Sequence, residues 1–344
     1  MMAGANIQTF SNVGHTRFWQ RGFLASQSAY VLAALVVLVV IMSLLSPNFL
    51  TGGNISNITR NFSFIAIATL GMTLVLITGG IDLSVGSTIA LSATVTSLVM
   101  GALATSGFYP FAGSHLVLSI LAGLAAAAAV GLFNGLAIAK LKLSPFVTTL
   151  GTLSMVRGLV YVATQGRGTF PAGPDKDMFL LVTAGKLFDA VPIAFIYLLV
   201  CAFIMWVALN HTAWGKHVFA IGSNENAGRL TGVNVDRVKI QVYMLCAMAA
   251  GVNGIIISGW LGSAPANLAT AYELTIIAAA VIGGANLAGG VGGAMGAIIG
   301  CILIEVIRNG LVLARVDPYW QQTLVGAIIV AAVLVDRLRS TRNG

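Results

Sequence analysis

Residues 79–87 read GGIDLSVGS and lie where two apolar runs, 62–80 and 85–106, meet. Each run is long enough to cross the ~30 Å hydrocarbon layer of a bilayer, so Asp82 places a carboxylate where a charge costs at least about 2.5–3.5 kcal/mol and normally faces protein or a water-filled cavity. Gly79, Gly80 and Gly86 let the backbone leave helical geometry, and a break at that depth is tolerated only where it lines a cavity or is buried in protein. The stretch predicts a polytopic helical membrane protein that carries something across a bilayer.

Composition agrees. The chain is 58% hydrophobic and only 8% charged, with a mean hydropathy of +0.94, against roughly 25% charged residues in a soluble domain. Apolar runs at 29–46, 62–80, 85–106, 115–139, 145–164, 191–209, 239–261, 273–289, 291–313 and 320–335 give about ten expected spans and an all-α fold. Lys and Arg set the orientation. With a cytoplasmic N-terminus, the inner segments carry eleven of them: Arg17, Arg21, Lys140, Lys142, Lys216, Arg229, Arg237, Lys239, Arg337, Arg339 and Arg342. The outer segments carry six: Arg60, Arg167, Lys176, Lys186, Arg308 and Arg315. Both termini are therefore expected inside, and the +8 formal charge reflects contact with anionic lipid rather than nucleic acid. The first apolar run is long enough to stay as an anchor and no A-x-A-like cleavage site follows it.

Other features narrow the chemistry. Cys201, Cys246 and Cys301 fall in spans and suit packing, and the four histidines are scattered without metal-ligand spacing. Gly79-Gly80-Ile81-Asp82-Leu83 is echoed by Gly283-Gly284-Ala285-Asn286-Leu287, as expected either of a repeat-built transporter with broken helices or of coincidence in a glycine-rich chain. Gly131 and Gly135, and Gly292, Gly296 and Gly300, recur at four-residue spacing and suit close helix packing. The long outer loop, about 165–190, reads either as a partner contact or as a plain solvated loop.

The basic inner segment 210–239 contains AIGSNENAGRLTGVNVDRVK. Asn224 is placed to cap a short helix over Glu225 to Leu230, Gly232 to end it, and Asp236 to cap the next span. A short helix held between two membrane helices works as a lever or is an ordinary interfacial helix. No G-x-x-x-x-G-K-[ST] loop is present, so any ATP that drives transport is handled by another subunit. No intramembrane chain of acids suits a proton relay, and no nucleophile, base and orienting group stand in recognisable spacing.

These motifs, with GLFNGLAIAKLKLSPFVTTLGTLSMVRGL at 131–159, IIAAAVIGGANLAGGVGGAMG at 276–296 and NGL at 309–311, resemble the permease subunits of bacterial ABC importers for monosaccharides of the ribose, xylose and galactose type. The resemblance runs from about residue 30 to 335. It implies a type II-like importer permease fold in the inner membrane, with the pathway formed against a second copy or a close relative. It also implies an ATPase on the inner face, which uses the ATP, and a periplasmic or lipid-tethered sugar-binding protein on the outer face. This chain would hold no cofactor and no metal, and would catalyse nothing. Residues 1–28 and 337–344 are read as cytoplasmic tails of a permease domain at 29–336, with a coupling loop at 210–238. ATPase coupling is expected of Gly222, Asn224, Ala227, Arg229, Gly232 and Asp236. The pathway is expected to use Asp82, Ser84, Asn134, Thr148, Thr149, Arg157, Asn286 and Asn309, whose polar groups exchange hydrogen bonds with sugar hydroxyls. A pairing of Asp82 with Arg157 as a structural strut stays open beside that role. A branched-chain amino-acid permease and a stand-alone ion-coupled transporter are the competing readings.

Overall fold

A computed structural model describes residues 27–317 together with 320, 323, 324, 326 and 327. The chain runs through α1 (Gln27–Leu45), α2 (Gly52–Ile77), α3 (Val85–Ser106), α4 (Ser114–Ala139) and α5 (Pro145–Thr164). A short helix α6 (Lys176–Ala184) and a hairpin of β1 (Lys186–Leu187) and β2 (Val191–Pro192) follow. Then come α7 (Ile193–His211), α8 (Ala213–Ser223), α9 (Glu225–Leu230), α10 (Val235–Leu261), α11 (Tyr272–Ile282) and α12 (Ala294–Leu313). Residues 1–26 of the expected tail 1–28, the tail 337–344 and most of the run 320–335 lie outside the described residues, and residues 27–28 begin α1.

Seven helices are long and apolar enough to cross a membrane among the described residues: α2, α3, α4, α5, α7, α10 and α12. Nine of the ten expected spans fall in this part of the chain, and the two beyond these seven are the run 29–46, which forms α1, and the run 273–289. The run 273–289 supplies only the 11 residues of α11, about 16 Å at 1.5 Å per residue. It stops at Ile282 because Gly284 takes a left-handed φ of +102°, which ends a helix at little cost for glycine.

The centre of the bundle is built by small residues. Residues 62–77 of α2 are buried without interruption, so this helix is apolar all round rather than amphipathic. α10 lies against α2, α3 and α4. A methyl group added at Gly131 would stand 2.7 Å from the Met244 Cα, and one at Gly135 would stand 2.7 Å from the Ile240 Cα. Gly71 is pressed in the same way against Cys246 and Ala249 of α10. Between membrane helices, where apolar burial gives little drive, such close backbone approach supplies the attraction.

The stretch 165–190 is folded rather than a plain loop. Thr169 and Ala264 form an isolated antiparallel bridge, and Asp175 is buried. The N-terminus of α4 begins at Gly113, which has no side chain to cap it. The Asp175 carboxylate does so from across the chain, accepting from the N–H groups of Gly113 at 3.0 Å, His115 at 2.9 Å and Leu116 at 3.3 Å. The Tyr109 hydroxyl adds a fourth bond at 2.7 Å. Burial pushes the Asp175 carboxyl up, but these bonds outweigh it and hold the group below its ordinary value.

Replacing a helix cap by alanine costs about 0.5–2 kcal/mol, so Asp175→Ala is expected to lower the thermal midpoint of the detergent-solubilised protein by a few degrees. Because the folded carboxyl is the more acidic, its contribution is complete above the ordinary value of 3.8 and is lost as pH falls through the lowered one. Unfolding followed from pH 7 down to pH 3 is expected to bring wild type towards the variant.

Candidate functional site

α2 ends in a two-bond closure. The Gly79 N–H donates to Leu76 O at 2.9 Å and the Gly80 N–H to Val75 O at 3.1 Å, with Gly79 at φ +75°. This spares carbonyls that no water can reach. The chain then turns about Asp82, whose Oδ1 accepts from the Ser84 N–H at 2.9 Å and the Ser84 hydroxyl at 2.6 Å. Asn134 of α4 donates to Ser84 Oγ at 2.9 Å and accepts from Thr152 Oγ1 of α5 at 2.7 Å. Thr149 Oγ1 lies 3.3 Å from Ile81 O, and the buried Thr148 is its neighbour on α5. Asp82, Ser84, Asn134 and Thr149 are thus brought together, and Thr152 joins them. Asp82 is 0% exposed, so its carboxylate faces protein and closes a helix break.

Arg157 is not paired with Asp82. It lies eight residues beyond Thr149 on α5, about 12 Å along the axis. Its Nη1 donates to Ala266 O at 3.2 Å and Leu268 O at 2.8 Å. Those carbonyls belong to the non-helical stretch 262–271 between α10 and α11, in which Ala269 and Ala271 hold φ of +54° and +63°. A guanidinium with several fixed donors can satisfy two carbonyls at once, as irregular backbone at membrane depth requires. The same stretch packs on the start of α3, where a methyl at Gly86 would stand 2.7 Å from Ala269 O and collide with the Glu273 carboxylate. Glu273 stands in the first turn of α11.

Asn286 and Asn309 are elsewhere. Asn286 is exposed, and its Oδ1 accepts from the Ala288 N–H at 2.9 Å. Asn309 exchanges amide bonds of 2.9 and 2.8 Å with Asn54, at the opposite end of α2 from Asp82 and about 35 Å away along the helix.

The echoed pentapeptides do build similar breaks. Gly284 donates to Val281 O and Ala285 to Ala280 O, each at 2.9 Å, which repeats the closure at Gly79 and Gly80 one residue later in the motif. The turns about Asp82 and Asn286 likewise each run from a side-chain oxygen to the N–H two residues on. The two breaks also touch, since the Gly290 N–H donates to Ile77 O at 2.9 Å.

The basic loop forms a knot at the same end. Asn224 Oδ1 accepts from the Ala227 N–H at 3.0 Å and caps α9. Gly232, at φ +86°, closes that helix by donating to Arg229 O at 3.1 Å. Arg229 bridges Glu225 at 3.0 Å and Asp236 at 2.8 Å. Lys142 reaches Asp236 at 2.9 Å, Lys140 reaches it at 3.6 Å, and Lys239 reaches Glu225 at 2.6 Å. The cap of α10 is Asn234, whose Oδ1 accepts from the Arg237 N–H at 3.0 Å, and not Asp236. Asp236 sits inside the first turn, which turns its carboxylate towards the cations. Burial raises the Glu225 carboxyl, but its bonds from Lys239 and Arg229 outweigh that and hold it below the ordinary value. All six residues expected to serve coupling lie on or beside this knot. Lys140, Lys142, Glu225 and Lys239 were missed as its members, although opposite charges on two connecting segments were the available signal. Among the described residues no cluster of His, Cys, Asp and Glu is arranged to hold a metal.

The sequence pattern of the family described as "Branched-chain amino acid transport system / permease component" matches residues 54–333. The chain belongs to this permease family. It is 37% identical over 329 residues to the ribose import permease of Escherichia coli (strain K12), covering 95% of this chain and 98% of that relative. It is 38% identical over 306 residues to the ribose import permease of Bacillus subtilis (strain 168), with 89% and 91% covered. To the galactose/methyl galactoside import permease of Haemophilus influenzae it is 36% identical over 325 residues, with 93% and 96% covered. The permease is a multi-pass transport component of the inner membrane, and the match takes in the break at Asp82, the stretch held by Arg157 and the knot.

Hydrogen bonds to a charged group contribute about 1.5–3 kcal/mol. Arg157→Met is therefore expected to lower stability by an amount in that range and to speed thiol labelling of a cysteine placed at Asn267, which Arg157→Lys should partly reverse. Since Asp82 and Arg157 have separate partners, the double variant Asp82→Asn/Arg157→Met should be additive to within about 0.5 kcal/mol. A larger coupling measured in a double-mutant cycle would restore the strut.

Proposed function

We propose that this permease forms the transmembrane pathway of an ATP-driven importer for a monosaccharide. The observation that carries the reading is the near full-length identity with ribose and galactose permeases of three bacteria. That identity favours a sugar over an amino acid, although the family description names the latter. A separate ATPase subunit docks on the α9 knot and supplies the energy. A sugar-binding protein delivers substrate at the opposite end, where α6 and the hairpin lie.

The orientation follows from charge. Lys140, Lys142, Lys216, Arg229, Arg237 and Lys239 cluster in the connections at the α9 end, and segments rich in Lys and Arg stay in the cytoplasm. Both termini are assigned to that side. α5 is the helix assigned to the pathway wall and to the second permease copy. Only six of its 20 residues are buried, and a methyl added at Gly151 or Gly158 meets nothing within 4 Å. Half-buried Arg157 supplies the polar group of α5 nearest that face, while the buried Thr148 and Thr149 join Asp82, Ser84 and Asn134 in the backing behind it. Contacts of this kind are individually weak and suit passage better than retention. The chain itself holds no nucleotide and no metal in this scheme.

Reconstitution in lipid vesicles with the candidate ATPase and binding protein tests the reading. Sugar-loaded binding protein is expected to stimulate ATP hydrolysis, and Arg229→Glu to reduce that stimulation at least tenfold by breaking the bridge between Glu225 and Asp236. Gradient-driven uptake by the chain alone, without association with any ATPase, would replace this reading with a secondary transporter.

A further inference from the structure

The end of α8 meets both helix breaks at one point, and it does so through backbone. A Cβ added at Gly222 would overlap Ile77 O and stand 2.6 Å from the Gly290 nitrogen, so Gly222 lies directly over the hydrogen bond that joins Ile77 to Gly290. A Cβ at Gly289 would stand 2.7 Å from Gly222 O and 3.1 Å from the Gly79 nitrogen. A Cβ at Gly290 would stand 3.0 Å from Ser223 Oγ, and one at Gly79 would stand 3.6 Å from Ala288 O. Three segments far apart in sequence therefore share one contact: the end of α2, the loop before α12, and the two residues that precede the cap of α9.

We infer that this junction is the mechanical link between the ATPase-facing helix and the pathway, with Gly222 as its positioning residue. The inference rests on the importer reading above and adds the route by which movement of α9 reaches the membrane helices. Asn224 caps α9 only two residues after Gly222, leaving no slack between the lever and the contact. On the other side, Ile77 precedes the turn that Asp82, Ser84 and Asn134 tie to α4, and Gly290 leads into α12. A backbone contact without intervening side chains has no rotamers in which displacement is absorbed, so the three segments move as one block. Packed elements of this kind carry coupling when both sites bias the same element. Any side chain at residue 222 would wedge the block apart.

The reconstituted complex tests this by the ratio of sugar taken up to ATP hydrolysed. Gly222→Ala is expected to assemble with the ATPase and hydrolyse ATP while that ratio falls at least tenfold. Gly101→Ala, where added volume meets nothing within 4 Å, should leave the ratio unchanged. A wild-type ratio in an assembled Gly222→Ala complex overturns the inference while leaving the importer reading intact. A wild-type chain that binds no ATPase overturns the importer reading instead. Should Gly222→Ala fail to assemble, a second measurement decides: Ser223→Cys/Ala288→Cys in a Cys201→Ala background, bridged by a short bismaleimide. Uptake within twofold of the unbridged complex supports movement as one block, whereas failure to cross-link or arrest of uptake by the bridge overturns it.

Discussion

At membrane depth no water accepts or donates a hydrogen bond, so every backbone group released by a helix break must find its partner in protein. That constraint accounts for much of the polar chemistry inside this permease. The break after α2 is closed by its own glycines and by the Asp82–Ser84–Asn134 chain, and the break after α11 by a similar turn. The stretch 262–271 depends on a guanidinium reaching over from α5. Rare charged residues are thus spent on carbonyls and N–H groups as much as on any cargo.

Around these breaks the bundle is held by shape. α10 stands at its centre because glycines on α2 and α4 let its backbone come within van der Waals contact of theirs. Larger side chains there would force helices apart, and lipid would offer no compensating penalty for their separation. The half-length α11 is packed into the same bundle between α2 and α12, and the α9 knot lies at its end.

Much of this was legible in the sequence, and the remainder was hidden for a definable reason. The short helix over Glu225 to Leu230, with its Asn224 cap and its end at Gly232, follows from local turn chemistry and is found as expected. The echo between GGIDL and GGANL marks two real breaks, although the structural match is shifted by one residue at the glycines. By contrast, Asp175 caps a helix that starts some 60 residues earlier, Arg157 bonds carbonyls 109 and 111 residues away, and Asn309 pairs with Asn54 across 255 residues. Apolar periodicity carries no trace of such pairings. It also made α11 look long, because the run of small apolar residues continues past the two glycines that stop the helix.

The α9 segment has a further consequence. Six residues are far fewer than the ~12–15 that an isolated helix needs to persist in water, so α9 exists because of its cap and the cations that grip Glu225 and Asp236. Those groups are partly exposed, and ion pairs of that kind each contribute little stability and less as salt rises. A helix held in this way opens locally at lower cost than a buried span does. Binding a partner there would complete a fold that this chain, alone and in salt, holds only loosely.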